Sequence, residues 1–233
     1  MSSGLFTVAT FNIHHGRGRE GVVDLSRTAA VIAGMAPDLI AVQELDVNLE
    51  RSGRTDQARA LGELIGMEIQ FFPTLAFGGG EYGIGLAARD EMSCTFEALP
   101  RARDEEPRIA IVGRWNDVNV VATHLSRSAE ARYAQTEFLA ALGTRLEGPT
   151  IVLGDMNQPA RDLHAFSATG FSVANPHVPL KWWLRPTSRV DHILVRDGLE
   201  MSRARLVPTK ASDHSALVAD VVRAGGVREL ASV

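Results

Sequence analysis

The chain has 233 residues, of which 45% are hydrophobic and 22% charged, the ordinary composition of a globular protein. This length suits one large α/β domain or two small ones. Its 24 Lys and Arg against 28 Asp and Glu give a formal charge of −4, without the basic excess of proteins that bind long nucleic acids. A local basic patch stays open, because arginines outnumber lysines and cluster at Arg101, Arg103 and Arg108.

The single cysteine, Cys94, excludes an internal disulfide and a cysteine-based zinc site, and we expect it to be a small core residue. The N-terminus has neither a basic start nor a long apolar run. We therefore expect no signal peptide or membrane span, and a cytoplasmic location. No linker-like stretch divides the chain, so we predict one domain over residues 1–233 with a flexible tail at 223–233.

The first half of the chain predicts a β-α-β unit, followed by a second helix and two further strands. Asp24 is a helix cap before an apolar face of Leu25, Ala29, Ile32 and Ala33, and Pro37 closes that helix. A second helix is predicted at 57–65 after a polar loop, and the glycines at 78–80 predict a mobile connector. Strands are predicted at residues 5–11, 39–42, 69–72 and 82–88.

The second half predicts more strands and one long helix. The helix spans about 129–146, with an apolar stripe of Tyr133, Phe138, Leu139 and Leu142, and a short helix lies near 161–168. A loop rich in Pro and Trp occupies 175–186. Strands are predicted at residues 94–99, 108–115, 118–123, 151–157, 190–195, 201–207 and 216–222.

The order of these elements predicts the fold class. Strands occur in two runs with hairpins inside each, which a single parallel sheet does not explain. Two mixed, mostly antiparallel sheets packed face to face, with helices outside, explain both the hairpins and the helices. We therefore predict a four-layer α/β (α+β) sandwich.

The stretch Ile-Val-Leu-Gly-Asp-Met-Asn at 151–157 is the most informative segment for function. Three branched apolar residues predict a buried strand, and Asp155 and Asn157 follow it at spacing two. Such fixed oxygen atoms suit a hard divalent cation or an attacking water molecule. Taken alone, an ordinary Gly-Asp-x-Asn turn explains the stretch equally well.

Similar polar residues recur where other predicted strands end. Each has a structural explanation by itself, since strand ends and turns are often polar. Their recurrence favours a shared site, because side chains at strand ends are held by the sheet yet reach solvent. The residues are Asn12, Glu44, His124, Asp155, Asn157, Asp191, Asp213 and His214.

In order, these segments resemble the motifs of the endonuclease/exonuclease/phosphatase superfamily, which includes deoxyribonuclease I-like metal-dependent phosphoesterases. The motifs span residues 10 to 215, essentially the whole chain. Ala216 is a departure, because the family often has Pro there. The matching segments are Thr10-Phe11-Asn12, Gln43-Glu44, Thr123-His124-Leu125, Gly154-Asp155-Met156-Asn157, Val190-Asp191-His192-Ile193 and Ser212-Asp213-His214-Ser215, with weaker likeness at Tyr82-Gly83-x-Gly85-Leu86 and Pro107-Arg108.

The resemblance implies a single catalytic domain and a role for each residue. Glu44 would be the principal carboxylate ligand of Mg²⁺ or Mn²⁺, supported by Asn12 and Asp213. Asp155 would orient or deprotonate the attacking water, with Asn157 holding that water or a phosphate oxygen.

The predicted histidines complete the implied site. Asp191 would hold a protonated His214, and that imidazolium, with His124, would stabilise charge on the phosphoryl oxygens. The expected activity is hydrolysis of a phosphoester by in-line attack of water.

The substrate is less determined than the chemistry. We expect a small or lipid-type phosphodiester, with a DNA or RNA nuclease as the alternative and a non-catalytic binding protein as a remote one. A zinc hydrolase is disfavoured, since carboxylates and Asn outnumber His at the strand ends. Trp182 and Trp183, flanked by Lys181 and Arg185, could stack on a base, enter a lipid surface or cover the core. No protein partner is predicted.

Overall fold

The computed structural model describes residues 4–176 and 189–224. Within these ranges the chain forms two six-stranded sheets and four α-helices, with short 3-10 turns between them. The helices are α1 (Leu25–Met35), α2 (Gln57–Ile65), α3 (Ala129–Arg145) and α4 (His164–Ala168). The strands are β1 (Leu5–Asn12), β2 (Leu39–Val47), β3 (Gln70–Phe77), β4 (Gly80–Ala88), β5 (Met92–Ala98), β6 (Ile109–Trp115), β7 (Val118–His124), β8 (Thr150–Asp155), β9 (Ser172–Val173), β10 (Asp191–Arg196), β11 (Leu199–Val207) and β12 (Ala216–Arg223).

The two sheets have matching topologies. The first has the strand order β11-β12-β1-β2-β4-β3, and the second has the order β5-β6-β7-β8-β10-β9. One pair in each sheet is parallel, β1 with β2 and β7 with β8, and their other pairs are antiparallel. The predicted fold class, two mostly antiparallel mixed sheets with helices outside, is confirmed.

Side-chain alternation along the strands builds three apolar layers. Val8 faces the opposite sheet, whereas its neighbour Ala9 faces the side of α1 and α2. In the second sheet Leu153 faces the inter-sheet core and Val152 faces the side of α3 and α4. Because successive residues of a strand point to opposite faces, every central strand is covered on both sides. Rigid strands therefore hold the polar residues at their ends.

The helices differ from prediction in which side chains they bury. Asp24 caps α1 as predicted, accepting from the backbone N–H of Ser26 at 2.9 Å, but Ala33 is exposed and Thr28 is buried. In α3, Tyr133 is 70% exposed rather than part of the apolar stripe. The buried face of α3 includes Gln135, whose amide donates to the carbonyl of Pro100 at 2.9 Å. Hydrogen-bonded polar residues thus occupy positions that apolar periodicity does not reveal.

The glycines at 78–80 are not a mobile connector, so that prediction is wrong. Gly78 and Gly79, with φ of 57° and 79°, form a tight hairpin between β3 and β4, and Gly80 already pairs with Phe77. A Cβ on Gly80 would lie 2.4 Å from the carbonyl oxygen of Val47, so only glycine fits there. Cys94 is half-buried and packs against the inter-sheet core.

Two predicted features fall largely outside the described residues. The Pro- and Trp-rich loop continues beyond residue 176, so Trp182 and Trp183 lie outside the described part. Arg223 still belongs to β12 and is not part of a tail, and residues 225–233 are outside the described part as well. Among the helices that the structure describes, none is long and apolar enough to cross a membrane.

Candidate active site

The polar ends of the central strands meet at one end of the sandwich. Asp155 ends β8 and lies directly across from His124 on β7 and from Asp191 on β10. Gly154, with φ of 149°, makes this close approach possible, since a Cβ there would lie 2.0 Å from the carbonyl oxygen of Thr123. A glycine is therefore required before Asp155 for steric reasons, because only a residue without a Cβ lets β8 lie this close to β7.

Asn12 connects the two sheets at this end. Its amide nitrogen donates to Glu44 Oε1 and to Asp155 Oδ2, each at 3.0 Å. Its amide oxygen accepts from the backbone N–H of His14 at 3.0 Å. Asn12 is fully buried, so this one side chain fixes a carboxylate from each sheet.

Glu44 lies at an irregularity of β2. The register shifts between Gln43 and Leu45, a β-bulge, and Glu44 has φ of 64° in the left-handed region. Bulges re-aim side chains, and here the carboxylate leaves the sheet face and lines a cavity. Burial raises the pKa of Glu44, and the hydrogen bond from Asn12 opposes that rise.

Asp191 and His214 form a hydrogen-bonded pair, with Asp191 Oδ2 and His214 Nδ1 2.9 Å apart. Burial alone would lower the pKa of His214, but the hydrogen bond and charge of Asp191 outweigh it and raise that pKa to about 9. His214 Nε2 lies 3.7 Å from Asp155 Oδ2. At neutral pH the site therefore contains an imidazolium beside the predicted base.

Asp155 is almost fully buried and accepts hydrogen bonds on both oxygens. Besides Asn12, the backbone N–H of Asn157 donates to its Oδ1 at 2.9 Å. Burial and the nearby charge of Asp191 raise the pKa of Asp155 to about 6, against the opposing effects of His214 and these hydrogen bonds. A carboxylate with a pKa near neutrality suits proton transfer from water.

His124 is buried, and its Nε2 lies 3.5 Å from Asp155 Oδ2. Burial, followed by the positive charges of Arg108 and His214, lowers the pKa of His124 well below its usual value. It is therefore neutral at physiological pH and offers a hydrogen bond rather than a full charge. The electrostatic role predicted for the histidines thus rests mainly on His214.

Asn157 and Asp213 lie on the rim of the site. The side-chain nitrogen of Asn157 donates to the carbonyl of Leu125 at 2.9 Å, which fixes the amide beside Asp155. The side chain of Asp213 is 56% exposed, and its Oδ1 lies 3.8 Å from His14 Nδ1. Ser212 places this segment, because its hydroxyl donates to the carbonyl of Asn12 at 2.8 Å.

These groups surround a cavity of about 400 Å³. Six of the eight predicted residues line it directly, and the other two contact lining residues: Asp191 is hydrogen-bonded to His214, and Asn12 donates to Glu44 and Asp155. The lining residues are Glu44, Tyr82, Glu106, Arg108, His124, Arg127, Asp155, Asn157, Val190, Asp213 and His214. A larger cavity of about 660 Å³ lies beside α2, but its lining in the described chain includes none of the predicted residues, so we place the site in the smaller one.

Sequence reasoning missed several of these lining residues. Arg108 is buried, unlike Arg101 and Arg103, and its Nη2 contacts Glu106 Oε2 at 3.1 Å. Tyr82 and Arg108 lie in segments with only weak likeness to the family, and Arg127 has no signal in the sequence. Charge alone does not separate a buried arginine in the site from its exposed neighbours.

Two groups of side chains have the spacing of metal ligands among the described residues. Asp155, Asp191 and His214 form one group, already joined by the contacts above. His14, His15 and Glu44 form the other. In each group the candidate ligand atoms lie within 4.8 Å of one another.

Comparisons with known proteins identify the family and the fold. A model of the "Endonuclease/Exonuclease/phosphatase family" matches residues 9–214. No curated protein matches the chain by sequence. Solved structures of similar fold include an endonuclease/exonuclease/phosphatase from Beutenbergia cavernae DSM 12333, with 20% identity, a TM-score of 0.76 and coverage of 95% of this chain and 72% of that one.

Two further similar structures bear more specific names. A mannosyl-6-phosphatase of Bacteroides thetaiotaomicron VPI-5482 has 18% identity, a TM-score of 0.72 and coverage of 93% of this chain and 99% of that one. A truncated TDP2 of Caenorhabditis elegans has 14% identity, a TM-score of 0.67 and coverage of 94% and 97%. At such identities these structures establish the fold alone. Because the family model covers most of the chain, this protein belongs to the endonuclease/exonuclease/phosphatase family, whose members are typically metal-dependent phosphoesterases.

Proposed function

We propose that this protein is a Mg²⁺- or Mn²⁺-dependent phosphodiesterase that hydrolyses a small or lipid-type phosphodiester by in-line attack of water. One observation carries the proposal: a buried base, an imidazolium and a half-buried carboxylate share one small cavity. These are Asp155, His214 and Glu44. Phosphoester hydrolysis needs a positioned water and positive groups around the phosphorus. Asp155 would orient that water, and His214 and Arg108 on the same cavity would supply the positive charge.

The donor set fits a hard divalent cation. Glu44 is a half-buried carboxylate whose pKa is raised by burial, so its ionised form gains from a positive partner. The carboxylates of Asp155 and Asp213 lie on the same cavity and add negative charge. Glu44 would be the principal ligand, with Asp213 and Asn12 in support. A bound Mg²⁺ or Mn²⁺ would polarise a phosphoryl oxygen and neutralise charge developing on it.

Asp155 is the proposed base. Hydrogen bonds from Asn12 and the Asn157 backbone hold its two oxygens, so the carboxylate has a fixed orientation before substrate binds. Its pKa of about 6 keeps it largely ionised at neutral pH yet basic enough to accept a proton from water. Asn157, fixed by the Leu125 carbonyl, orients the same water or a phosphoryl oxygen.

Positive and hydrogen-bonding groups on the same cavity would stabilise the phosphoryl oxygens. Asp191 keeps His214 protonated, and the neutral His124 adds a hydrogen bond in a water-poor position. Arg108 and Arg127 line the same cavity and present guanidinium groups, which match phosphate geometry well. Arg108 is buried and held by Glu106, so little side-chain entropy is lost when it binds.

The size of the site supports a small substrate. A cavity of about 400 Å³ accommodates one phosphate and modest substituents. The formal charge of −4 lacks the excess of cations through which long nucleic acids gain affinity. A mannosyl-6-phosphatase among the similar structures is named for a small phosphorylated sugar. The loop with Trp182 and Trp183 remains the segment we expect to face the substrate.

The decisive experiment is an activity panel with Mg²⁺, Mn²⁺ or EDTA. Substrates are an aryl phosphodiester, glycerophosphodiesters, sphingomyelin, a sugar phosphate, plasmid DNA and an abasic oligonucleotide. We expect metal-dependent cleavage that is fastest on a small or lipid-type diester. Efficient cleavage of duplex DNA that falls steeply with salt would favour the nuclease alternative. Metal binding without hydrolysis of any substrate would favour a non-catalytic binding protein.

A further inference from the structure

Two adjacent histidines lie beside Glu44 and have no part in the mechanism above. One nitrogen of His14, one nitrogen of His15 and one carboxylate oxygen of Glu44 all lie within 4.8 Å of one another. His14 and His15 come from the turn after β1, and Glu44 comes from the bulge of β2. The imidazole nitrogens of His14 and His15 thus lie next to the cation site proposed at Glu44.

His15 is the unexplained member of this group. It is only 6% exposed, and its Nδ1 is buried with no hydrogen-bond partner among the residues that the structure describes. Buried side-chain nitrogens are nearly always paired, so an unpaired one points to a missing ligand. The backbone of His15, in contrast, is well held, since the Gln57 side chain donates to its carbonyl at 2.7 Å.

The backbone conformation keeps the two imidazoles together. His14 and His15 have φ of 48° and 45°, and Glu44 has φ of 64°. Such left-handed conformations are unfavourable for residues other than glycine and persist where the surroundings enforce them. In extended backbone, adjacent side chains point to opposite sides. In this turn the two ring centroids are 4.5 Å apart.

We propose that His14, His15 and Glu44 form a binding site for a transition-metal ion of the Zn²⁺, Co²⁺ and Fe²⁺ class. Imidazole nitrogen suits these ions, whereas Mg²⁺ prefers oxygen ligands alone. Two histidines and one carboxylate leave coordination positions for water or substrate, as catalytic sites require. The inference rests on the proposed function in sharing Glu44, and it names which cations that side of the cavity selects.

The charges around the site are compatible with a cation. Asp213 Oδ1 lies 3.8 Å from His14 Nδ1 and adds negative charge on the open side. Burial, followed by the charge of Arg51, lowers the pKa of His15. Both hydrogen-bonded nitrogens of Arg51 contact Asp46, at 2.8 and 2.7 Å. The positive charge of Arg51 is thus balanced by the carboxylate of Asp46.

Metal binding by the full-length, metal-free protein tests this site directly. Co²⁺ is titrated with its visible absorption as the signal, Zn²⁺ competes, and Mg²⁺ binding is measured by calorimetry. Asn tolerates left-handed backbone, so His14→Asn and His15→Asn remove a ligand and keep the turn. His164→Asn, an exposed position on α4, is the matched control.

Each ligand variant should weaken Co²⁺ and Zn²⁺ binding by about tenfold or more, whereas Mg²⁺ affinity changes by less than about twofold. The control should bind like the wild type. Unchanged Co²⁺ affinity and spectrum in both variants would overturn the proposal. X-ray absorption of the Zn²⁺-loaded wild type gives an answer without any variant: imidazole scattering supports the site, and an oxygen-only shell refutes it.

The outcomes for this site and for the proposed function are separable. Histidine-dependent Co²⁺ binding with no hydrolysis of any phosphoester would support the proposed metal site and refute the proposed phosphodiesterase activity. Mg²⁺-dependent hydrolysis, together with Co²⁺ binding that is unchanged in both histidine variants, would support the phosphodiesterase activity and refute the metal site. Circular dichroism of each variant shows whether the fold is retained, and His14, which is the more exposed of the two, gives the safer variant.

Discussion

The two sheets build their halves of the candidate active site in different ways. The second sheet contributes His124, Asp155 and Asp191, which are buried cross-strand neighbours in regular register. The first sheet contributes Glu44 from a β-bulge and His14 from a left-handed turn. One half is thus positioned by strand pairing itself, whereas the other half depends on local departures from regular structure.

This difference separates two kinds of chemistry. Regular, buried positions shift pKa values, because low polarity and fixed neighbours act together on Asp155 and Asp191. The irregular position of Glu44 places its carboxylate on the cavity, where the proposed cation would bind. Asn12 is the link, since one amide nitrogen donates to a carboxylate of each half. Changes in the regular half (His124, Asp155 and Asp191), which we call the proton-transfer half, should therefore alter proton transfer. Changes in the irregular half (Glu44 and His14), which we call the metal half, should alter metal affinity.

The largest effect should come from Glu44→Gln, which breaks the metal half alone. Loss of the principal carboxylate should lower kcat/KM by about 10³-fold, equivalent to a loss of about 4 kcal/mol. Calorimetry should show weaker Mg²⁺ binding, with the fold retained by circular dichroism. Glu63→Gln on the exposed side of α2 is the matched control. Wild-type activity that persists undiminished in EDTA would contradict the metal hypothesis.

The second prediction concerns proton transfer, through Asp191 of the second sheet and its partner His214, which lies just before β12 of the first sheet. Asp191→Asn and His214→Ala should each lower kcat by about 10²–10³-fold, and the double variant should be little worse, because residues acting as one unit are not additive. Their 2.9 Å hydrogen bond is the physical basis of this coupling. Steady-state kinetics of both single variants and the double variant measure it. Fully additive losses would show that the two residues work independently.

The third prediction concerns the pH profile, which should report the ionisation of Asp155 and of His214. Activity of the wild type should rise as Asp155 ionises, with pKa of about 6, and fall as His214 loses its proton, with pKa of about 9. A bound cation would move the acid limb lower. In Asp191→Asn burial still lowers the pKa of His214 and the main opposing charge is gone, so the alkaline limb should move toward neutrality. An alkaline limb unchanged in Asp191→Asn would exclude His214 as the titrating group.

The regular half is the more predictable from sequence. Asp155 follows the apolar run of the strand predicted at 151–157, and Asp191 lies at the start of the strand predicted at 190–195. The amino-acid sequence alone therefore places both residues near strand ends. The two-sheet fold follows from the two runs of strands with hairpins. Cross-strand pairing in a known fold then brings such residues together.

The irregular half is predictable only in part. The sequence indicates Glu44 as a strand-end carboxylate, but its left-handed φ depends on a bulge that nothing in the local sequence marks. The partnership of His14 and His15 with Glu44 arises from tertiary hydrogen bonds, among them that of Gln57. The burial of Arg108 is likewise not marked in the sequence, since the nearby Arg101 and Arg103 are exposed. Local propensity does not include such contacts.

The smallest predicted effect, and the one that sharpens the comparison most, concerns the link between the halves. Asn12→Ser removes an amide that reaches both Glu44 and Asp155, and should lower kcat/KM by about tenfold. The hydrogen bond from Asn12 lowers the pKa of Asp155, so its loss should move the acid limb of the pH profile upward. Mg²⁺ affinity should fall only slightly, because Glu44 keeps its charge. If metal affinity falls as far as in Glu44→Gln while the acid limb stays fixed, Asn12 belongs to the metal half alone and does not connect the two.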